Sequence, residues 1–309
     1  MWSGRPKRNW SRDILLALPL LLAAAPALAQ EEQRVFPDPE AAGEALVAAF
    51  EAQDQPTLVA ILGQAFADLA AGQGGEANER DRQRFVAAAR QSMSFVPDGA
   101  DRLILNVGLE AWPLPAPLVK EGDGWRFDGE EGVEVLADRL VGRNELEAIA
   151  VLRAYVDAQV EYTSQDRDGD QVLEYAQRMA STPGTHDGLY WPVEEGDPPS
   201  PFGPFLAEAG VDAERREAGT PFYGYHYRIM TRQGENVPGG AYDYVINGNM
   251  IAGFAMVAWP ARYGESGVMT FVVNQAGTVL ERDMGERSGK IGPEMRTYNP
   301  DAAWESVED

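Results

Sequence analysis

The sequence predicts an α+β protein made of two consecutive units, and three observations lead to that prediction. Apolar residues recur at helical spacing up to about residue 92, and from residue 102 short runs of strand-forming residues follow. A long helical pattern over 144–162 then precedes several further strand-like runs. Helices that precede strands, rather than alternating with them, favour antiparallel sheets covered by helices. We expect these units at 36–130 and 140–300.

The first 29 residues have the composition of a signal peptide. A basic start at 5–12 precedes an apolar run at 15–25, and Ala27-Leu28-Ala29 supplies small residues for cleavage. The run is shorter than the roughly 20 apolar residues of a membrane-spanning helix. An uncleaved anchor is the alternative, which the Ala-Leu-Ala site disfavours. We therefore predict export to the periplasm or secretion, without stable membrane insertion after cleavage.

Net charge limits the possible binding partners, and cysteine content limits how the fold is stabilised. The formal net charge is −23. Loss of 1–29, which carries four basic residues and one acidic residue, would leave −26. Such a surface repels nucleic-acid phosphates and anionic lipid, so we expect no nucleic acid as a partner. The chain has no cysteine, and its hydrophobic core must hold the fold without disulfides.

The first unit begins with three predicted helices. Asp38-Pro39-Glu40 combines a cap residue, an N-terminal proline and an acidic first turn. Helices are expected from this point, over 57–70 and over 81–92. Strands are expected at 102–107, 112–119 and 125–127, the second at an edge because it holds three prolines. This order resembles the NTF2-like domain, in which helices pack on a curved antiparallel sheet.

The second unit is built around one long predicted helix. After a linking helix over 132–140, Asn144 and Glu147 have the spacing of a capping box. Apolar residues then recur along one side as far as Val160. The strands expected after this helix lie at 225–230, 254–259, 268–273 and 278–280. A helix that packs on this antiparallel sheet completes the predicted unit.

Several long motifs resemble one bacterial exported family. They include WRFDGEEG, RLVGRNELEAIAVLRAYVDAQVEY, YGYHYRI and GVMTFVVNQAG. These segments are similar to the family known as domain of unknown function 2950, and the resemblance extends from about Phe36 to Trp304. The resemblance implies no reaction.

The second unit also resembles the globular head of type IV pilin-like proteins, in which a long helix packs on a small antiparallel sheet. Pilins join this helix directly to an apolar N-terminal half that builds the filament. Here the helix follows another unit, so the resemblance implies a head without filament assembly.

An acidic loop after the long helix is the best candidate site. Asp166, Asp168 and Asp170 alternate, and Glu174 follows four residues later. Calcium prefers several oxygen ligands from a short loop, so we predict a calcium site formed by these four residues. With Gly169 at the sixth position of an EF-hand loop, Glu174 falls one short of the bidentate position. A solvated acidic turn is the alternative.

Two other groups of residues are weaker candidates. His186 precedes Asp187 in a loop, and His226 alternates with tyrosines, but structural hydrogen bonding is the favoured role for both. Aromatic residues crowd 190–227; burial against the sheet is favoured over an exposed binding face.

These features predict a non-catalytic periplasmic binding or assembly module whose partner is an envelope protein or polysaccharide. A periplasmic hydrolase that acts on envelope material, with His186, Asp187 or the acidic loop in its site, is the alternative. A histidine, a carboxylate and a serine or metal in one concave pocket would favour the hydrolase.

Overall fold

The computed structural model describes residues 33–64, 66, 76–193, 198–208 and 220–307. The predicted signal peptide at 1–29 lies outside these residues. No helix within them combines the length and apolarity that crossing a membrane requires. Helices and antiparallel sheets make up the described chain, which confirms the α+β class.

Three helices begin the described chain. They are α1 (Pro39–Ala52), α2 (Gln55–Leu62) and α3 (Glu76–Gln91). The predicted start of α1 is confirmed: the Asp38 side chain accepts from the Ala41 N–H at 2.7 Å. The second helix is shorter than the predicted 57–70 because it ends at Gly63, whose φ is +81°. Part of the remaining predicted helix lies outside the described residues.

The first sheet is antiparallel, and one of its faces packs on these helices. Its order is β1–β2–β4–β5, with β3 paired to β2. The strands are β1 (Met93–Pro97), β2 (Arg102–Val107), β3 (Trp112–Pro113), β4 (Leu118–Glu121) and β5 (Gly124–Phe127). Leu105, Leu118 and Phe127 are fully buried in one apolar cluster with Leu46 and Ile61 from the helices. The face of this sheet that packs on the helices is therefore filled by side chains.

A single helix, α4 (Gly129–Tyr162), passes from this cluster to a second one. Its 34 residues span about 50 Å. The predicted break before Asn144 is wrong, because Asn144 does not cap a helix. Its Nδ2 instead donates to the Ser266 carbonyl at 2.9 Å. Tertiary contact thus uses the polar side chain that the sequence pattern assigned to a helix start.

The second sheet is also antiparallel, in the order β14–β13–β12–β11–β6. These strands are β6 (Tyr225–Met230), β11 (Ala255–Pro260), β12 (Met269–Asn274), β13 (Leu280–Asp283) and β14 (Glu305–Ser306). The later part of α4 packs on β11 and β12, and Tyr155 donates to the Ala255 carbonyl at 3.3 Å. The opposite face is covered by residues 285–297, where Gly292 packs directly on Trp259.

The chain around the first apolar cluster is called the first region below, and the chain around the second apolar cluster is called the second region. Short elements complete the second region. They are α5 (Gly203–Glu208), α6 (Ser288–Ile291), β7 (Arg232–Gln233), β8 (Tyr242–Asp243), β9 (Val245–Ile246) and β10 (Asn249–Met250). The pairs β7–β8 and β9–β10 are two-stranded and antiparallel. The two apolar clusters have their centres in the two predicted domains, and the domain division itself stays a prediction.

Candidate metal centre

The acidic loop, residues 164–174, begins where α4 ends. The Thr163 N–H closes the helix by donating to the Gln159 carbonyl at 3.1 Å. The side chain of Gln159, fully buried, also holds the chain beyond the loop. Its Nε2 donates to the Ala176 carbonyl and its Oε1 accepts from the Ala176 N–H, both at 2.8 Å. Both ends of the loop are thereby fixed to the same turn of the helix.

Asp166 organises the backbone of the acidic loop. Its Oδ1 accepts from the Gly169 N–H at 2.7 Å, and its Oδ2 accepts from the Gln171 N–H at 2.9 Å. These backbone donors lower the pKa of Asp166 because they stabilise the ionised carboxylate. Gly169 and Gln171 both have positive φ, +82° and +71°. The chain therefore turns sharply around the Asp166 carboxylate.

The three aspartates converge on one point. Oxygen atoms from Asp166, Asp168 and Asp170 lie within 4.8 Å of one another, and all three residues are exposed. Asp168 Oδ1 accepts from the Asp170 N–H at 3.3 Å, and Asp170 Oδ1 accepts from the Val172 N–H at 2.8 Å. These three carboxylates form a group that could hold a metal ion, since a hard cation needs several oxygens around one centre.

Glu174, the fourth predicted ligand, lies outside this group of three. Its Oε2 accepts from the Met250 N–H at 2.9 Å. Asp170 Oδ2 likewise accepts from Asn249 Nδ2 at 2.6 Å. Two loop carboxylates thus fasten the acidic loop to the β9–β10 hairpin. Direct coordination by Glu174 stays a prediction.

A second register also compares the acidic loop with an EF-hand. Counted from Asp166 as position 1, Asp168 and Asp170 occupy positions 3 and 5, which supply ligands in EF-hands. Gln171 then occupies position 6, the site of the sharp turn, and has a positive φ. Glu174 falls at position 9, and Gln177 replaces the bidentate glutamate at position 12.

The basic residue within the acidic loop points away from the carboxylates. Arg167 Nε donates to the Tyr162 carbonyl at 3.1 Å. The guanidinium group lies over the rings of Tyr162 and Trp191, at 5.2 and 5.3 Å from their centroids. Among the residues that the structure describes, no ion pair joins Arg167 to Asp166, Asp168 or Asp170. Arg167 therefore forms no ion pair that would neutralise these carboxylates within the described part of the chain.

The histidines lie in separate aromatic contacts. His186 packs on Trp191 at 4.4 Å between ring centroids, and His226 stacks on Trp259 at 5.6 Å. Burial would raise the pKa of Asp187, but hydrogen bonds from Thr182 and Thr185 outweigh it and lower that pKa. Asp187 is therefore engaged in closing its own loop rather than activating His186.

The predicted aromatic cluster packs inward. Trp191, Phe202 and Tyr225 are buried in the second apolar cluster. The other rings of the group are partly buried against it: Tyr190, Phe205, Phe222, Tyr223 and Tyr227. These rings pack the described parts of this segment, 183–193, 198–208 and 220–225, against the second apolar cluster, as the favoured interpretation expected.

The match to a known family covers both clusters and the acidic loop. The family described as Protein of unknown function (DUF2950) matches residues 33–307. The chain belongs to this family. No curated protein and no solved structure matches it.

Membership in DUF2950 confirms the resemblance found in the sequence motifs. The match begins after the predicted signal peptide and extends through β14. The NTF2-like and pilin-like resemblances stay predictions, because helices on antiparallel sheets occur in many folds.

Proposed function

We propose that this DUF2950 protein is an exported, non-catalytic binding or assembly module of the cell envelope whose acidic loop binds calcium. The observation that carries the proposal is the convergence of three aspartate carboxylates within 4.8 Å on a loop fixed at both ends. The export part rests on the composition of residues 1–29.

The ligand chemistry favours calcium over other cations. The cluster offers only oxygen atoms, and calcium takes six to eight of them in flexible geometry. The backbone carbonyl of Val172, at position 7, and water would complete the shell. Magnesium demands tighter octahedral geometry and releases its water reluctantly. An exposed site of this kind suits the weak affinities of extracellular modules, with Kd near about 10⁻⁴ to 10⁻³ M.

A bound cation would also stabilise a surface suited to partner binding. The acidic loop contacts β9–β10 through Asp170 and Glu174. Leu173, Ile246 and Ile251, which neighbour these contacts in sequence, are exposed by 57, 45 and 44%. Together they would offer apolar contacts to another macromolecule if they form one contiguous patch. An envelope protein or polysaccharide is the proposed partner.

Two observations weigh against the alternative of an envelope hydrolase. His186 and His226 pack on different tryptophans, and the carboxylate beside His186 is engaged by threonines. The face of the first sheet that packs on the helices is filled by Leu105, Leu118 and Phe127 and leaves no room there for a substrate. A hydrolase site would bring an acid, a base and a nucleophile together.

Thermal unfolding with and without calcium tests the metal site. We expect a hundredfold excess over Kd to raise the free energy of unfolding by about 2.7 kcal/mol, and the Tm by about 5 °C. Asp168→Ala should remove most of this rise. Asp138→Ala, which removes the same charge from an exposed position in the first third of α4, should keep it.

The same two variants serve as baits in envelope extract. A partner that binds near the acidic loop should be retained by Asp138→Ala in calcium and lost from Asp168→Ala or in chelator. Equal effects of calcium and magnesium on both variants would mean general charge screening, and the metal proposal would then be wrong.

A further inference from the structure

A cleft of about 180 Å³ lies on the face of the second sheet opposite α4. Its wall is formed by β12, β13 and the segments that follow them. The apolar side chains in this wall are Val272, Met284, Ile291, Met295 and Trp304. An apolar cavity of about 150 Å³ can bind benzene, so this cleft has room for one aliphatic or aromatic side chain. Its methionines allow it to adapt to the shape of a ligand.

Opposite charges stand together in the wall of this cleft. Arg282 Nη1 lies 3.3 and 3.4 Å from the two carboxylate oxygens of Asp301. A tight charge-assisted pair has a separation of about 2.7–2.9 Å, so this pair is loosely made. The two side chains are 37 and 55% exposed, and both remain accessible to a ligand.

Both charges are held by ordered backbone. Arg282 lies on β13, where it pairs across the sheet with Thr270 of β12. Asp301 Oδ1 also accepts from the Ala303 N–H at 3.0 Å, which fixes the turn that leads to Trp304.

The local charge also differs from that of the whole chain. Residues 282–297 contain four basic and three acidic residues, whereas the chain carries −23. Arg287, Lys290 and Arg296 are exposed there, and no ion pair engages them within the described ranges. A carboxylate therefore meets less repulsion at this cleft than over the general acidic surface.

We propose that this cleft binds a free apolar α-amino acid. The ligand carboxylate would pair with Arg282, its ammonium group with Asp301, and its side chain would fill the space between Met284, Ile291 and Trp304. A zwitterion satisfies both members of the loose ion pair at once. Neither a fatty acid nor an aliphatic amine does so, because each carries only one of the two charges.

Calorimetry of the full chain with leucine and two analogues tests this proposal. N-Acetyl-leucine keeps the carboxylate and lacks the ammonium group, whereas leucinamide lacks the carboxylate. We expect leucine to bind with Kd between about 10 µM and 1 mM, a range open to ligands with few non-hydrogen atoms. Each analogue should bind at least about tenfold more weakly, since each leaves one charge of the cleft unpaired.

Variants of Arg282 and Asp301 show which residue recognises which charge of leucine. Asp301→Asn should weaken leucine about tenfold and abolish its advantage over N-acetyl-leucine, while Arg282→Gln should abolish its advantage over leucinamide. Melting curves of both variants report whether the fold is retained. Absence of leucine binding, or equal binding of leucine and both analogues to the unaltered protein, would overturn the proposal without any variant.

Discussion

The two regions of the protein differ in whether they bury polar side chains. The first, around α1–α3 and the first sheet, is apolar throughout among the described residues. Every buried polar side chain of the described residues lies at or beyond Asn144, in the second region. The first region is built from regular helices and strands, which satisfy their own backbone hydrogen bonds. The second contains long irregular segments, whose backbone groups need side-chain partners.

Two glutamines in the second region show this requirement. Gln159 pairs with both backbone groups of Ala176, just beyond the acidic loop. Gln233 Nε2 donates to the carbonyls of Pro238 and Gly240, at 3.1 and 2.8 Å. Buried amides thus hold irregular chain in place and allow it to present polar loops at the surface. Both candidate sites, the acidic loop and the cleft, lie in the region built this way.

The largest expected effect breaks the tight packing of the first region. A Cβ atom at Gly129, the first residue of α4, would lie 1.6 Å from the Leu62 carbonyl oxygen. We expect Gly129→Ala to lower the free energy of unfolding by about 3 kcal/mol, because the backbone of α2 must move. Urea denaturation measures the change.

A second glycine of the same helix provides the matched control. A Cβ atom at Gly142 meets no atom within 4 Å. Gly142→Ala should therefore raise the free energy of unfolding by about 0.5–1 kcal/mol, as alanine favours the helix. Equal effects of the two substitutions would show that helix propensity, and not packing against α2, governs the junction.

A smaller effect is expected from Glu281, a carboxyl of the second region whose pKa is raised. Burial, together with Glu145 and Glu305, raises the pKa of Glu281 in the second region. A carboxyl whose pKa is raised on folding destabilises the protein when ionised and ceases to do so as pH falls through the folded pKa. Glu281→Gln should therefore raise the Tm at pH 7, and the gain should vanish below the ordinary range of carboxyl pKa values.

Glu51 of the first region should respond in the opposite direction. A hydrogen bond from Arg90 lowers the pKa of Glu51, so the ionised form stabilises the fold above the ordinary carboxyl pKa. Glu51→Gln should lower the Tm at pH 7, and the difference should disappear as pH falls through the lowered pKa. Changes of the same sign in both variants would contradict this contrast.

Sequence patterns predicted the elements of the first region correctly where the signals are local. Asp38 and Pro39 marked the start of α1 correctly, and the strand at 102–107 is β2 as observed. β1 (Met93–Pro97) was missed, although it pairs with the next strand in the chain and places Phe95 opposite Leu105. At Asn144 a capping pattern lies inside a continuous helix, because this side chain bonds Ser266, which is distant in sequence.

The candidate sites show a similar division. The alternation of Asp166, Asp168 and Asp170 predicted that their carboxylates share one loop, and the structure brings these three side chains together. The positive φ of Gln171 could not be predicted, because glutamine, unlike glycine, gives no sequence signal for it. The cleft could not be predicted, because Arg282 and Asp301 meet only when the chain beyond β13 folds back over the sheet.

Hydrogen exchange of the full chain, with calcium or magnesium at equal ionic strength, tests the central claim most directly. Calcium should slow amide exchange at 163–177 and 245–252, because the acidic loop and the β9–β10 hairpin share hydrogen bonds. Exchange in α1, β2 and β5 should not change, and Asp168→Ala should lose the protection. Equal slowing in both regions, or equal action of magnesium, would contradict a calcium site in the acidic loop.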